Sequence, residues 1–178
     1  MIINYLKNDL VTVPKRAKTG DLGYDIVATS DPIIVGAKTP GLDKNTYSSI
    51  DYIQYETSLQ IQPQKDINWR GIERKFHTLV FPRSSISTKN LILKNSVGVI
   101  DSEYSGKILM RYSYVWQPCD LIYEDGLFSI NIDYNKIYKK GDKIAQLVPY
   151  KNIDANFIGV DELDNTDRGE GGFGSTGK

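Results

Sequence analysis

Hydrophobic and polar positions alternate along much of this chain, and a period of two predicts strands rather than helices. The longest run sets Ile53, Tyr55, Thr57, Leu59 and Ile61 on one face against Gln54, Glu56, Ser58, Gln60 and Gln62 on the other. A second run puts Ile108, Met110, Tyr112, Tyr114 and Trp116 on a dry face, opposite Lys107, Leu109, Arg111, Ser113 and Val115. Shorter apolar runs cover residues 2–6, 76–81, 91–93, 97–100, 127–132 and 144–148. Asp125-Gly126 stands between two such segments and predicts a two-residue hairpin turn. Only residues 84–90 read as helical, one or two turns in which Ser84 or Ser85 would cap free amides. Many short strands punctuated by Gly, Pro, Asn and Asp predict an all-β sandwich or barrel. After residue 152 the alternation stops, acidic side chains gather, and five of the chain's 15 glycines fall in its last ten residues. The expected organisation is a β core over residues 1–152 and a C-terminal arm over 153–178.

Composition narrows the classes. A chain of 178 residues suits one domain. With 22 basic and 22 acidic side chains the net charge is zero, which offers no overall attraction to nucleic acid or to an anionic membrane. No apolar run approaches 18 residues, and Lys7 and Asp9 interrupt the start, so a soluble, cytoplasmic protein is expected. Cys119 is the only cysteine, which excludes an intramolecular disulfide and a multi-cysteine zinc site. His77 is the only histidine, so any Ser-His or Cys-His chemistry would run through it alone. It reads as a strand residue and is given no role.

The candidate chemistry lies in five short segments. Residues 19–26 place Asp21 and Asp25 in a glycine-rich strand entry. Pro82-Arg83-Ser84-Ser85 offers a planar guanidinium and two hydroxyls, donors suited to phosphate oxygens. Residues 98–106 run from an apolar strand into Asp101 and a turn, with a second strand of the hairpin beginning at Lys107. Asp101 reads either as a turn-capping residue or as a carboxylate at a cleft lip that orients a water, with Tyr104 presenting a flat face to a ring. Residues 141–147 form a turn into a buried strand carrying one inward amide, Gln146. Arg168 opens a glycine-rich tail that matches two nucleotide-binding patterns and satisfies neither. Gly169, Gly171 and Gly174 lack the following helix, and Gly172, Gly177 and Lys178 lack the hydroxyl residue that should come next. What survives is a nest of backbone amides, joined by Arg168, Ser175 and Thr176, that suits phosphate.

In this order the five segments resemble the five motifs of the homotrimeric dUTPase family, from about Gly20 to Gly177. The resemblance implies a jelly-roll β-barrel with one short helix after the second motif and a C-terminal arm. It implies hydrolysis of dUTP to dUMP and pyrophosphate, which keeps uracil out of DNA and supplies dUMP. It also implies the cofactor Mg2+, and a homotrimer whose active sites are shared between chains. By the same resemblance Asp25 would hold a water on the metal, and Arg83, Ser84 and Ser85 would contact phosphates. Asn95 and the backbone of Val99, Ile100 and Asp101 would pair with uracil, and Leu109 would line the pocket. Asp101 would activate the attacking water, Tyr104 would pack beneath the deoxyribose, and Gln146 would bind near the α-phosphate. Phe173 would stack over uracil while Arg168, Gly174, Ser175 and Thr176 close over the phosphates. Ser85 departs from the family's usual glycine, and Ser105 and Lys107 depart from a basic and an acidic residue. Residues 31–47, 66–75 and the hairpin at Asp125 read as surface insertions. A dCTP deaminase, from the same superfamily, would need a carboxylate where Ile108-Leu109-Met110-Arg111 stands. A non-catalytic nucleotide-binding regulator is the second alternative.

Overall fold

The computed structural model describes residues 2–67, 73–124, 126–153 and 155–171. Fourteen strands follow in order: β1 (Ile3–Tyr5), β2 (Tyr24–Val27), β3 (Ile33–Lys38), β4 (Thr46–Glu56), β5 (Ile61–Pro63), β6 (Asp66–Ile67), β7 (Glu73–Arg74), β8 (Phe76–Pro82), β9 (Leu91–Leu93), β10 (Gly98–Ile100), β11 (Leu109–Tyr114), β12 (Leu121–Glu124), β13 (Leu127–Asn131) and β14 (Lys143–Lys151). The all-β expectation holds. Among the described residues no helix is long and apolar enough to cross a membrane.

Two sheets carry the fold. One has four strands in the order β10-β8-β14-β2; the other is built on β4. Tyr47 pairs with both Lys38 and Ile130, and Ile53 with both Ile34 and Tyr112, so β3 takes one edge of β4 while β13 and β11 divide the other. The inner faces of the two sheets form a single apolar core containing Ile26, Val80, Ile144 and Leu147 from one and Ile53, Tyr55, Met110 and Tyr112 from the other. Its centre is aromatic. Tyr55, Tyr112 and Tyr138 meet edge to face with ring centroids 5.7–6.1 Å apart. Their polar ends are used to stitch layers together. Tyr112 donates to the Ile144 carbonyl at 2.7 Å, across the sheets, and Tyr55 donates to the Tyr138 carbonyl at 3.0 Å. Burial raises the pKa of both phenols, keeping them neutral donors.

The long alternating run is buried on the expected face, yet it is not one strand. β4 ends at Glu56, and Ser58 adopts φ +52°, which turns it inward as well. There Thr57 donates to the Ile108 carbonyl at 2.6 Å and the Ile108 amide donates to Leu59, so the chain wraps around Ile108 instead of continuing the pleat. In the second run Trp116 lies beyond β11 and is exposed, because the strand has ended at Tyr114. Residues 31–47 are a correction of another kind. They supply β3, a full partner of β4, and are not only a surface loop. The turn at Gly126, with φ +81°, joins β12 and β13 as predicted; Asp125 lies outside the described residues. β6 and β7 pair at the expected insertion.

The helical segment is a 3-10 helix, Ser84–Thr88, whose N-cap is Arg83 with an extended backbone. Neither Ser84 nor Ser85 caps it; their carbonyls accept from Ser87 and Thr88 hydroxyls at 2.9 Å. A second short turn, Pro118–Asp120, is closed by the capping box of Gln117 and buried Asp120. His77 sits in β8, stacked on Tyr150 and hydrogen-bonded through Nδ1 to Asn152. After β14 the backbone leaves the sheet, and Ile153, Phe157, Ile158, Val160 and Leu163 are all exposed.

Candidate active site

One strand organises the candidate residues. β8 has β14 on one edge and β10 on the other, and candidate chemistry collects at both of its ends.

At the C-terminal end, Phe81 faces Gln146 across the ladder, and Gln146 in turn faces Asp25 on β2. Adjacent strands lie roughly 4.8 Å apart, so these three positions form a row across the sheet. Gln146 Nε2 donates to the Pro82 carbonyl at 3.4 Å, which fixes the chain where it turns into Arg83. Gly23 is required here: a Cβ would lie 2.2 Å from Gln146 Oε1. Arg83 Nε meets Asp25 Oδ1 at 2.9 Å, and Lys143 Nζ meets Asp25 Oδ2 at 2.7 Å. A cleft of about 280 Å³ opens over this group, lined by Asp21, Gly23, Asp25, Arg83, Ser84 and Gln146. Ser85 is exposed and does not line it. Around Asp25 two cations face one carboxylate, with Asp21 a second carboxylate on the cleft wall, and the guanidinium and amide donors suit an anion rich in oxygen.

Lys143 was not among the residues singled out from sequence. Lys143 and Gln146 are three residues apart, and on a regular strand they would point to opposite faces. The register between β14 and β2 shifts between Lys143 and Ala145, so Ile144 is the extra residue of a β-bulge. Ile144 and Ala145 are both fully buried, and the bulge returns Lys143 to the face that Asp25 and Gln146 share. The signal was present as two adjacent apolar residues flanked by two polar ones.

The other end of β8 carries β10, with Val99 opposite Leu79 and Ile100 opposite Thr78. β11 pairs with β4 and β9, so residues 98–100 and 109–114 belong to different sheets and the hairpin expected between them is a crossing loop. That loop encloses a binding-sized space: adjoining hollows of about 360 and 270 Å³ share Val99, Ile100, Ile108, Leu109 and Arg111. Asn95 and Lys94 line the first, Asp101, Tyr104 and Lys107 the second. Asn95 is presented by a tight turn in which Ser96 takes φ +59° and the Val97 amide reaches the Asn95 carbonyl at 2.6 Å. A non-glycine residue in this region of φ marks backbone held against its preference. Tyr104 donates to the Lys107 carbonyl at 2.9 Å, leaving its ring fixed and half-exposed. Gly106 permits this, since a Cβ there would lie 2.5 Å from the Tyr104 hydroxyl. The turn is closed by backbone, Tyr104 N–H to Asp101 carbonyl at 3.1 Å. The Asp101 carboxylate is exposed and has no hydrogen-bond partner among the described residues, so it is not a turn cap.

Arg168 lies in neither cleft; its Nε donates to the Gly171 carbonyl at 2.9 Å. Phe173, Gly174, Ser175 and Thr176 lie outside the described residues. Two larger hollows, of about 560 and 460 Å³, contain none of the candidate residues.

A family model described as dUTPase matches residues 45–114 and 129–177. The deoxyuridine 5'-triphosphate nucleotidohydrolase of Corynebacterium glutamicum is 32% identical over 173 residues, 93% of this chain and 87% of its own. The enzyme of the same name from Histophilus somni strain 2336 is 40% identical over 101 residues, 56% of each chain. The Staphylococcus bacteriophage 80alpha dUTPase with dUPNHPP has a similar fold, at a TM-score of 0.67 with 20% identity, covering 99% of both chains. A mutant dUTPase from phage phi11 of S. aureus, described with a structural Mg(II) ion, gives 0.58 with 16% identity, over 92% of this chain and 99% of that one.

Proposed function

The chain belongs to the dUTPase family, and from that premise we propose that it hydrolyses dUTP to dUMP and pyrophosphate in sites assembled from three copies of itself. The observation that carries this reading is the separation of the two clefts along β8. Thr78, the partner of Ile100, and Arg83 stand five residues apart, which at 3.4 Å per residue is about 17 Å. Asp101 of one chain is therefore out of reach of a phosphate held by Arg83 of that chain. Each cleft needs the other's chemistry, and a second copy supplies it.

In this reading Arg83, Ser84 and Gln146 bind the triphosphate, and Asn95 with the backbone of Val99 and Ile100 receives uracil beside Leu109. Tyr104 packs beneath the deoxyribose, where its fixed ring fills the space a 2′-hydroxyl needs. Asp101, free of other partners among the described residues, takes the proton of a water as that water attacks phosphorus. The bond between the α- and β-phosphates breaks, and pyrophosphate leaves with the electron pair. No covalent intermediate is required, because positioning and charge stabilisation carry phosphoryl transfer.

The donor set fits a magnesium ion that arrives with the substrate. Among the described residues no cluster of three His, Cys, Asp or Glu is placed to hold a metal. Asp25 offers one carboxylate whose two oxygens each already meet a cation. Such a carboxylate would hold the ion through a water, not by direct bidentate contact. Bound there, the ion would supply positive charge against the phosphate oxygens. The segment 153–178 serves as an arm that closes over a site on another copy with Arg168, Phe173, Gly174, Ser175 and Thr176. Its exposed Phe157, Ile158 and Leu163, which lack apolar cover among the described residues, support that role.

Hydrolysis of dUTP, dTTP, dCTP and UTP with magnesium tests the reading. dUTP is expected to be turned over, UTP and dTTP poorly, and dCTP left unchanged. A methyl mismatch alone is worth about 1–3 kcal/mol, so rejection of dTTP depends on an unyielding pocket. Equal rates on dUTP and dTTP, or deamination of dCTP, would overturn it.

A further inference from the structure

We infer that Lys143 is a positioning residue of the triphosphate cleft, acting through Asp25; the inference rests on the dUTPase reading. Three independent features of the fold converge on it. The bulge at Ile144 exists in an otherwise regular nine-residue strand, and its consequence is to bring Lys143 onto the Asp25 face. Backbone leading into the bulge is pinned: the Ala28 amide donates to the Asp142 carbonyl at 2.9 Å, and the Gly141 amide to the Ala28 carbonyl at 2.8 Å. Lys143 and Arg83 then divide the carboxylate between them, one on each oxygen.

That arrangement defines what Asp25 can do. A carboxylate has about four lone-pair sites, and two are taken. The two that remain can accept a water but leave little room for direct, bidentate capture of a metal. Arg83 is held by its Nε, which frees the Nη edge of the guanidinium for phosphate. Lys143 thus fixes Asp25, and Asp25 fixes the orientation of Arg83. It also balances charge. Without Lys143 the Asp25 carboxylate, only 12% exposed, would face an incoming triphosphate with one cation to share between itself and the substrate.

The test uses the full-length protein and α,β-imido-dUTP, measured by titration calorimetry with and without Mg2+. Lys143→Met is expected to weaken binding about tenfold, the range seen when a supporting residue behind a ligand group is lost. The loss should be larger without metal than with it, because the ion then compensates Asp25. In an Asp25→Asn background the same substitution should cost less than about twofold, since nothing is left for Lys143 to hold. Lys143→Arg should restore most of the affinity. The thermal midpoint should not move, because the Lys143 side chain is 48% exposed. An equal loss in the Asp25→Asn background would mean that Lys143 acts on phosphate directly and would overturn the proposal. So would unchanged binding in Lys143→Met. Should that variant not fold, Lys143→Gln carries the same comparison. Failure of the unmodified protein to bind the analogue or to turn over dUTP would instead sink the dUTPase reading, which separates the two failures.

Discussion

The cleft at the Arg83 end of β8 is made of charged side chains on β2 and β14 and at the turn that follows β8. The cleft at the Asp101 end is made of loop and backbone around a strand of three residues. In the first, charges are paired before any substrate arrives, Asp25 with Arg83 and Lys143. In the second, the Asp101 carboxylate is unpaired among the described residues and the Tyr104 ring is locked by its own hydroxyl. Under the proposed function, the contrast follows from what each would have to recognise. Phosphate charge is bound by charge, and cationic side chains need a rigid sheet and a counter-ion to stay oriented. A base and a sugar are read by shape, and a pocket of backbone cannot swing aside to admit a methyl or a hydroxyl.

The sharpest way to break this contrast is Asp101→Asn. The amide keeps the shape of the loop but cannot accept a proton, so kcat should fall about 10²–10⁴-fold while binding of α,β-imido-dUTP is retained. Steady-state kinetics beside calorimetry read both numbers, and near-normal kcat would move the base elsewhere. A smaller effect tests shape at the same end. Gly106→Ala places a methyl 2.5 Å from the Tyr104 hydroxyl and must tilt the ring. The ratio of kcat/KM for dUTP over UTP should drop roughly tenfold, the value of one steric contact in a pocket; an unchanged ratio would free Tyr104 of that task. The mildest substitution lies in the core between the clefts. Tyr112→Phe deletes the bond to the Ile144 carbonyl at the bulge and should cost about 1–3 kcal/mol of stability. Thermal unfolding should register that cost as a fall of a few degrees, with kcat/KM of the folded protein unchanged. A catalytic defect larger than the stability loss would show that the core reaches the Lys143 bulge.

Much of this was legible in the sequence, for physical reasons that can be named. Period two gave the strands because side chains alternate faces, and Ile53, Tyr55, Met110 and Tyr112 are buried as the pattern demands. Asp25, Arg83, Ser84, Asp101, Tyr104 and Gln146 were singled out from local chemistry, and Asn95, Val99, Ile100 and Leu109 from the family resemblance. Ser85 was singled out too but does not line the cleft, and the cations Lys94, Lys143 and Arg111 were given no role. What stayed hidden was long-range. Nothing local tells residues 98–100 to pair with β8 and not with the strand that follows, since the choice is made by register across two sheets. The cap of Ser84–Thr88 falls to Arg83 because a short 3-10 turn leaves little for a serine hydroxyl to cap. Lys143 needed parity as well as composition, because only a bulge reconciles its face with that of Gln146.

The central claim is that one active site draws its two halves from two chains, and subunit exchange tests it most directly. Asp101→Asn leaves the cation cleft intact, and Arg83→Ala leaves the Asp101 cleft intact; each protein alone should be inactive. After unfolding and joint refolding, with mixed assemblies verified by native mass spectrometry, some sites take Arg83 from the first variant and Asp101 from the second. Random assortment at equal mixing completes roughly a quarter of the sites in a cyclic trimer. The account predicts dUTP hydrolysis at about that share of the unmodified rate. Silence in verified hybrids would place both residues of a working site on one chain and contradict it.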